Sequence, residues 1–129
     1  SKKKTLYVLG QNHFQNAVIE RYADAAFFEC QIFSTVQSWM GALGGGSTKT
    51  VTICGDQGLL GNLDSLKKSM PSALDHHQMI VLKPQNDSSW ENLKILDPYF
   101  MISPLTLPLK FDALKKILLL LKELFTEEL

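Results

Sequence analysis

The sequence predicts an α/β domain in which a parallel sheet is covered by helices on both faces. Residues 5–10 and 50–54 are short apolar runs without polar alternation, which is typical of strands buried on both sides. Amphipathic segments separate such runs, so that strand and helix alternate five times along the chain. Five units of this kind in 129 residues indicate five parallel strands in the order 2-1-3-4-5.

The predicted elements follow one another without an internal repeat. The strands are assigned to residues 5–10, 28–34, 50–54, 78–83 and 99–103, and the helices to residues 11–27, 36–43, 63–70, 88–96 and 109–125. In this flavodoxin-like arrangement the working site lies at the carboxyl ends of strands one, three and four. These ends are residues 10–12, 55–57 and 83–84.

Two helices carry apolar stripes that predict their inward faces. In the first helix this stripe is Phe14, Ala17, Val18, Tyr22 and Ala25. In the last helix the i, i+3, i+4 spacing selects Phe111, Leu114, Ile117, Leu118, Leu121 and Phe125. The opposite stripe of the last helix is charged, which predicts contact with solvent.

Composition and charge describe an ordinary globular domain. The chain is 45% hydrophobic and 20% charged, with a formal net charge of zero, so no basic surface indicates a nucleic-acid partner. Its length supports one core, and residues 1–129 are therefore predicted to form a single domain. The chain begins without Met, from which we expect a fragment of a longer protein.

The cysteines and the apolar runs predict a cytoplasmic domain without direct membrane contact. Cys30 and Cys54 fall in predicted strands and are expected to be buried free thiols, as in a reducing compartment. No apolar run approaches the roughly 18 residues of a membrane span, and no signal peptide is visible. His76 and His77 have no Cys or acidic cluster beside them, so no metal site is predicted.

The segment SPLTLPLKFDAL, residues 103–114, resembles the response-regulator receiver family. In receivers attached to hybrid sensor histidine kinases, the fifth strand ends in Lys-Pro, and a helix beginning Leu-x-x-Ala-Leu follows. Pro104, the spacing and the letters FDAL match this pattern, whereas Ser103 stands in place of the lysine. The resemblance implies the receiver fold over the whole chain.

The remaining positions of the family's phosphorylation pocket are changed. A working receiver has two acids at the end of strand one, where this chain has Gly10 and Gln11. The phosphoacceptor aspartate ends strand three, where Gly55 or Asp56 falls, depending on a one-residue register choice. Lys83 replaces the Ser or Thr that ends strand four.

These changes predict a pocket without phosphoryl chemistry. Phosphoryl transfer to a carboxylate needs Mg²⁺, which prefers hard oxygen ligands such as paired carboxylates. Gly10 supplies no ligand, Gln11 carries no charge, and Ser103 cannot provide the positive charge of the family's lysine. We therefore expect no Mg²⁺ or other cofactor, no catalytic residue and no phosphorylation of Asp56. Lys83 pairs with Asp56 if that carboxylate points inward, and otherwise extends into solvent.

The resemblance implies a degenerate receiver, similar to the receiver-like module of BarA/GacS-like hybrid sensor kinases. Such a domain would contact neighbouring kinase, receiver or phosphotransfer domains, or a second copy of itself, on the cytoplasmic side of an inner-membrane kinase. Two alternatives stay open. One is a receiver that is still phosphorylated on Asp56, and the other is a flavodoxin-like domain that binds a small molecule.

A partner surface is predicted on the last helix. Leu119 falls within the charged stripe and Leu120 at its border, so the inward face accounts for neither. Lys115 and Lys122 flank them, which gives the apolar centre and charged rim of an interface. Receivers often use the fourth helix, fifth strand and fifth helix for contacts, and we therefore expect an exposed Leu119 that a partner covers.

Overall fold

The computed structural model describes residues 4–44, 51–55, 77–88, 91 and 100–126. Labels below count the described elements. The strands are β1 (Lys4–Leu9), β2 (Phe28–Phe33), β3 (Val51–Cys54), β4 (His77–Lys83) and β5 (Phe100–Thr106), and the helices are α1 (His13–Ala25), α2 (Val36–Gly44) and α3 (Phe111–Thr126). The predicted helix at 63–70 lies outside the described residues, as does the one at 88–96 except for residues 88 and 91.

The five strands form one parallel sheet in the order β2-β1-β3-β4-β5, as the sequence predicts. Leu9 pairs with Cys54, Cys54 with Val81, and Val81 with Pro104, so these four residues form one row across the sheet. Because all strands run the same way, the residues that follow this row define one carboxyl edge. The predicted flavodoxin-like fold is confirmed.

Alternate residues of the strands face opposite helices. Val8, Ile53 and Leu82 are buried in a core cluster that also contains Ile19 of α1 and Leu118 of α3. On the other face of the sheet, the buried indole of Trp39 in α2 donates from Nε1 to Thr52 Oγ1 of β3 at 2.9 Å. Helices therefore cover both faces of the sheet. Among the described residues, none of the helices has the length and hydropathy of a membrane-spanning segment.

The inward face of α1 differs from the prediction. Its buried residues are Asn16, Ile19 and Ala23, whereas Phe14 is 81% exposed. Asn16 faces the sheet, where its amide donates to the backbone just beyond β1. Phe14 lies in the first turn of α1, before the residues that pack in the core cluster. Ala17 and Ala25 of the predicted stripe are likewise exposed, whereas Val18 and Tyr22 are half-buried and Tyr22 packs against the core cluster, as predicted.

The inward face of α3 is confirmed for the side chains that the structure describes. Leu114 and Leu118 are fully buried, and Ile117 packs against the same core cluster. Phe111 is half-buried, and its ring centroid lies 5.1 Å from that of Tyr22 in α1. These contacts fix α3 beside α1 on one face of the sheet. The same cluster includes partly buried Leu107 and Leu109 from the segment before the helix.

The fifth strand extends further than the sequence predicts. Residues 99–103 were expected to form it, but β5 continues to Thr106, and Leu107 N still donates to the Lys83 carbonyl oxygen at 2.7 Å. Ser103 pairs with Ile80, three residues before the end of the strand. Pro104 does not end the strand, because β5 is an edge strand of the described sheet, where a residue without an N–H is tolerated. Just after the end of β5, the peptide bond between Leu107 and Pro108 is cis.

Candidate functional site

Two glycines lie side by side at the carboxyl edge of the sheet. Gly10 follows β1 and Gly55 follows β3, and the Gly55 N–H donates to the Leu9 carbonyl oxygen at 2.8 Å. The Gly10 N–H donates to the Phe33 carbonyl oxygen at 3.0 Å, which extends the ladder to β2. The edge predicted as the working site is therefore formed here by backbone without side chains.

The first turn of α1 lies directly over this edge. Asn12 caps the helix, and its Oδ1 accepts a hydrogen bond from the Gln15 N–H at 2.9 Å. The Asn12 carbonyl oxygen accepts from the Asn16 N–H, also at 2.9 Å. These two bonds set the rotation of the helix, and they direct the side chains of residues 15 and 16 toward the two glycines.

Asn16 packs on Gly10. Its side chain is 3% exposed, and Nδ2 donates to the Gly10 carbonyl oxygen at 3.0 Å. The other amide atom, Oδ1, is buried and has no hydrogen-bond partner within the described parts of the chain. A Cβ built on Gly10 would lie 2.9 Å from this oxygen and 3.8 Å from the Gly55 Cα. The amide therefore occupies the space that a side chain at position 10 would need.

Gln15 packs on Gly55 in the same way. A Cβ built on Gly55 would collide with Gln15 Oε1 and would lie 3.5 Å from Gln15 Cδ. Gln15 is half-buried, with its side chain between solvent and the end of β3. Each strand-end glycine is therefore matched to one amide side chain of α1.

The other predicted pocket residues do not form a charged site in the described structure. Gln11 is exposed, and its Nε2 lies 3.5 Å from the Ser34 carbonyl oxygen, a long hydrogen bond. Lys83 is half-buried at the end of β4, and Thr106 is exposed at the end of β5, where Ser103 was expected. Asp56 lies outside the described residues, so its pairing with Lys83 and its possible phosphorylation stay predictions.

The electrostatics of the edge follow from these residues. Gly10, Gly55, Gln15 and Asn16 contribute only neutral backbone and amide groups. Over the described ranges, no group of three or more His, Cys, Asp or Glu side chains is arranged to hold a metal ion. Neutral amides neither attract a divalent cation strongly nor accept a phosphoryl group. The described strand ends therefore carry backbone and amide groups together with the Lys83 side chain at the end of β4, and none of these residues is a carboxylate.

The predicted partner surface consists of Leu119, Leu120, Lys115 and Lys122 on α3. Leu119 is 43% and Leu120 57% exposed, in agreement with the expected exposure. Lys115 Nζ lies 5.4 Å from the centroid of the Phe111 ring. Lys122 Nζ lies 4.8 Å from the ring of Phe27, which is itself 63% exposed at the turn before β2. Each of the two ammonium groups therefore lies over an aromatic ring, and both lysines are on the helix that carries the exposed leucines.

A separate groove of about 540 Å³ lies between α1 and β2. Its polar lining includes Glu20, Arg21, Asp24 and Glu29, and Cys30 lies at its floor. Burial, followed by the negative charges of Glu20 and Asp24, raises the pKa of the Cys30 thiol to about 12. A thiol with this pKa stays protonated near neutral pH and is a poor nucleophile. Cys30 is half-buried, whereas Cys54 is buried as predicted, and neither forms a disulfide.

Sequence reasoning identified the two glycines but missed Gln15 and Asn16. Asn16 carried one available signal, because it lies three and seven residues before Ile19 and Ala23 on one helical face. A polar residue on that face predicts a buried amide that needs a backbone partner. Gln15 gave no such signal, since its contact depends on the rotation that the Asn12 cap imposes.

Comparisons with known proteins support the fold. No family model matches the sequence, and no curated protein matches it significantly. Full-length FixJ from B. japonicum is similar in structure, with a TM-score of 0.64 and 18% identity over 92% of this chain and 57% of FixJ. A transiently phosphorylated "switch" in bacterial signal transduction gives a TM-score of 0.57 and 18% identity over 92% of this chain and 95% of that one. The chain spans little more than half of FixJ, and the similarity shows that it has the receiver fold.

Proposed function

We propose that this chain is a receiver-like domain of two-component signal transduction that does not accept a phosphoryl group. In this proposal it belongs to a hybrid sensor histidine kinase similar to BarA and GacS, on the cytoplasmic side of the membrane. It performs no catalysis itself, and it positions neighbouring kinase, receiver or phosphotransfer domains of the same phosphorelay. The receiver fold supports the general assignment.

The observation that carries the proposal is the pair of glycines at the carboxyl edge. Receivers have an acid at the end of strand one and a phosphoacceptor at the end of strand three. Here Gly10 and Gly55 directly follow β1 and β3, and the amides of Asn16 and Gln15 pack over them. Phosphoryl transfer needs a carboxylate acceptor and a cation that neutralises charge, and these four residues provide neither.

The exposed leucines of α3 support the interaction role. A leucine that is almost half exposed within a charged stripe contributes nothing evident to the core. Leu119 and Leu120, with Lys115 and Lys122 on the same helix, offer apolar area with a positive rim. A neighbouring module of the same signalling chain, or a second copy of this domain, would cover this surface.

The proposal is tested by incubating the purified domain with acetyl phosphate and Mg²⁺ and measuring its intact mass. We expect no added phosphoryl group, because the described edge has no carboxylate. A receiver with an intact acid pair, treated in parallel, checks that the reagent is active. A stable gain of one phosphoryl group that Asp56→Ala abolishes would contradict the proposal and favour the alternative of an atypical receiver.

The remaining alternative, a small-molecule binder, is separated by a second measurement. Thermal melting with flavins and nucleotides should leave the melting temperature unchanged under the proposed function. A concentration-dependent rise with one of these ligands would favour a flavodoxin-like binding site instead.

A further inference from the structure

We infer that Gln15 and Asn16 form an internal plug at the carboxyl edge, so that position 10 must stay glycine while α1 keeps its place and a side chain at position 55 must displace Gln15. The pocket therefore differs from that of a working receiver in two ways. The acids are missing, and two amide side chains of the chain itself fill the space where acidic side chains would lie. The inference deepens the proposed function and rests on it at one point, the roles that receivers give to the ends of strands one and three.

The glycines are required for space and not for backbone conformation. Among the described glycines, none has a positive φ, so neither Gly10 nor Gly55 adopts a backbone that a larger residue avoids. Each glycine has an amide in the direction that a Cβ would take. Asn16 Oδ1 lies 2.9 Å from a Cβ built on Gly10, and Gln15 Oε1 collides with a Cβ built on Gly55. The Gln15 amide ends a flexible, half-buried side chain and can move at little cost. Asn16 is buried and hydrogen-bonded to Gly10, so a Cβ at position 10 has to shift a fixed amide or α1.

The plug also disfavours an acid electrostatically. The atom nearest to each built Cβ is an amide oxygen, which repels a carboxylate. Turning the Asn16 amide over would present its nitrogen, but Nδ2 would then lose its hydrogen bond to the Gly10 carbonyl oxygen. Restoring an aspartate at position 10 alone therefore meets both a steric and a charge obstacle.

The plug has a consequence for conformational switching. The same amides that fill the edge connect α1 to the ends of β1 and β3 through the Asn16–Gly10 hydrogen bond and the Gln15–Gly55 contact. A ligand that entered this edge would have to displace side chains already packed there. The domain should therefore remain in one conformation at this edge, which suits a module that positions others and receives no phosphoryl signal.

A double-mutant cycle on melting temperature tests the plug in the intact chain. Gly10→Ala should lower the melting temperature by about 4 to 10 °C, as overpacking of a filled site does. In an Asn16→Ala background, the same substitution should change it by less than about 2 °C, because the obstacle has been removed. Gly41→Ala is the matched control: a Cβ there meets no described atom within 4 Å, and alanine in the helix should raise the melting temperature by about 2 to 4 °C.

If Gly10→Ala fails to fold, the double variant decides. Recovery of a folded domain in Asn16→Ala/Gly10→Ala supports the plug. The inference is overturned if Gly10→Ala is as well tolerated as Gly41→Ala, or if Asn16→Ala does not rescue it. Gly10→Asp should follow the same pattern, with a larger loss than Gly10→Ala in the presence of Asn16. None of these melting measurements depends on acetyl phosphate, so failure of the plug is distinguishable from failure of the proposed function.

Discussion

At the scale of single residues, Cys30 shows how position controls reactivity. Its thiol lies between α1 and β2, where burial, and then the charges of Glu20 and Asp24, raise its pKa from 9.0 to about 12. The thiolate is the species that reacts with alkylating agents. At pH 8 we therefore expect Cys30 to be alkylated by iodoacetamide far more slowly than a free cysteine, as measured by peptide mass spectrometry.

The raised pKa also has a consequence for stability, with a defined direction. Below about pH 9 the thiol is protonated in both the folded and the unfolded chain, and its full contribution to stability is present. As pH rises from about 9 toward 12, the unfolded chain loses this proton first, so the free energy of unfolding falls. Cys30→Ser should show a smaller fall over this range. An equal fall in both proteins would mean that other groups cause it.

Individual residues also mark what the sequence could and could not predict. The end of the first strand at Gly10 is visible in the sequence, and the resemblance to receivers implies that an acid is missing there. The contact of Asn16 with Gly10 was not predicted, because it depends on how α1 is rotated over the sheet. The predicted stripe through Phe14 placed an aromatic residue inside, although the structure leaves it exposed at the edge. The pattern of apolar residues alone does not distinguish a rotation of α1 that buries Phe14 from one that buries Asn16.

At the scale of secondary-structure elements, neighbouring residues of α3 differ in role, because one packs in the core and the next faces outward, where a partner is proposed to bind. Leu118 is fully buried in the core cluster, whereas its neighbour Leu119 is 43% exposed. We expect Leu119→Glu to leave the melting temperature within about 2 °C of the parent, since the new carboxylate reaches solvent. The same substitution should weaken association with a neighbouring module or with a second copy, as measured by analytical ultracentrifugation.

The matched control for this prediction is Leu118→Glu, which places a charge in the core and should unfold the domain. If Leu119→Glu unfolds the domain as well, Leu119 is a core residue and the proposed surface is wrong. If it leaves both stability and association unchanged, a partner must be sought on another face of the domain.

The fifth strand shows why element boundaries are harder to predict than elements. The sequence predicted its existence and its parallel pairing, which the register with β4 confirms. Its end was predicted at Ser103, beside Pro104, where the resemblance to receivers places a Lys-Pro pair at the end of the strand. An edge strand needs hydrogen bonds on only one side, so β5 continues past the proline to Thr106. Edge position is a property of the whole sheet, and no local pattern reveals it.

At the scale of the whole molecule, the fold was predictable because it depends on a repeated pattern. Uninterrupted apolar runs separated by helical segments allow few arrangements other than a parallel sheet between helices. The strand order and the inward stripe of α3 followed from this pattern and agree with the structure. The plug did not follow from it, because Gln15 and Gly55 are distant in sequence and meet only after the sheet and α1 have assembled.

The sheet joins two buried layers, and this predicts how the domain unfolds. Neighbouring residues of β3 face opposite layers: Ile53 is in the core cluster with α1 and α3, and Thr52 accepts the hydrogen bond of Trp39 from α2. Because one short strand serves both layers, damage to one should destabilise the other. We expect Thr52→Val, which removes this buried hydrogen bond, to lower the free energy of unfolding by about 1 to 3 kcal/mol. In a Trp90→Phe background, urea unfolding followed by Trp39 fluorescence and by far-ultraviolet circular dichroism should give one coincident transition before and after the substitution. Separate midpoints, with the fluorescence change preceding loss of secondary structure, would show instead that α2 unfolds independently of the core beneath α1 and α3.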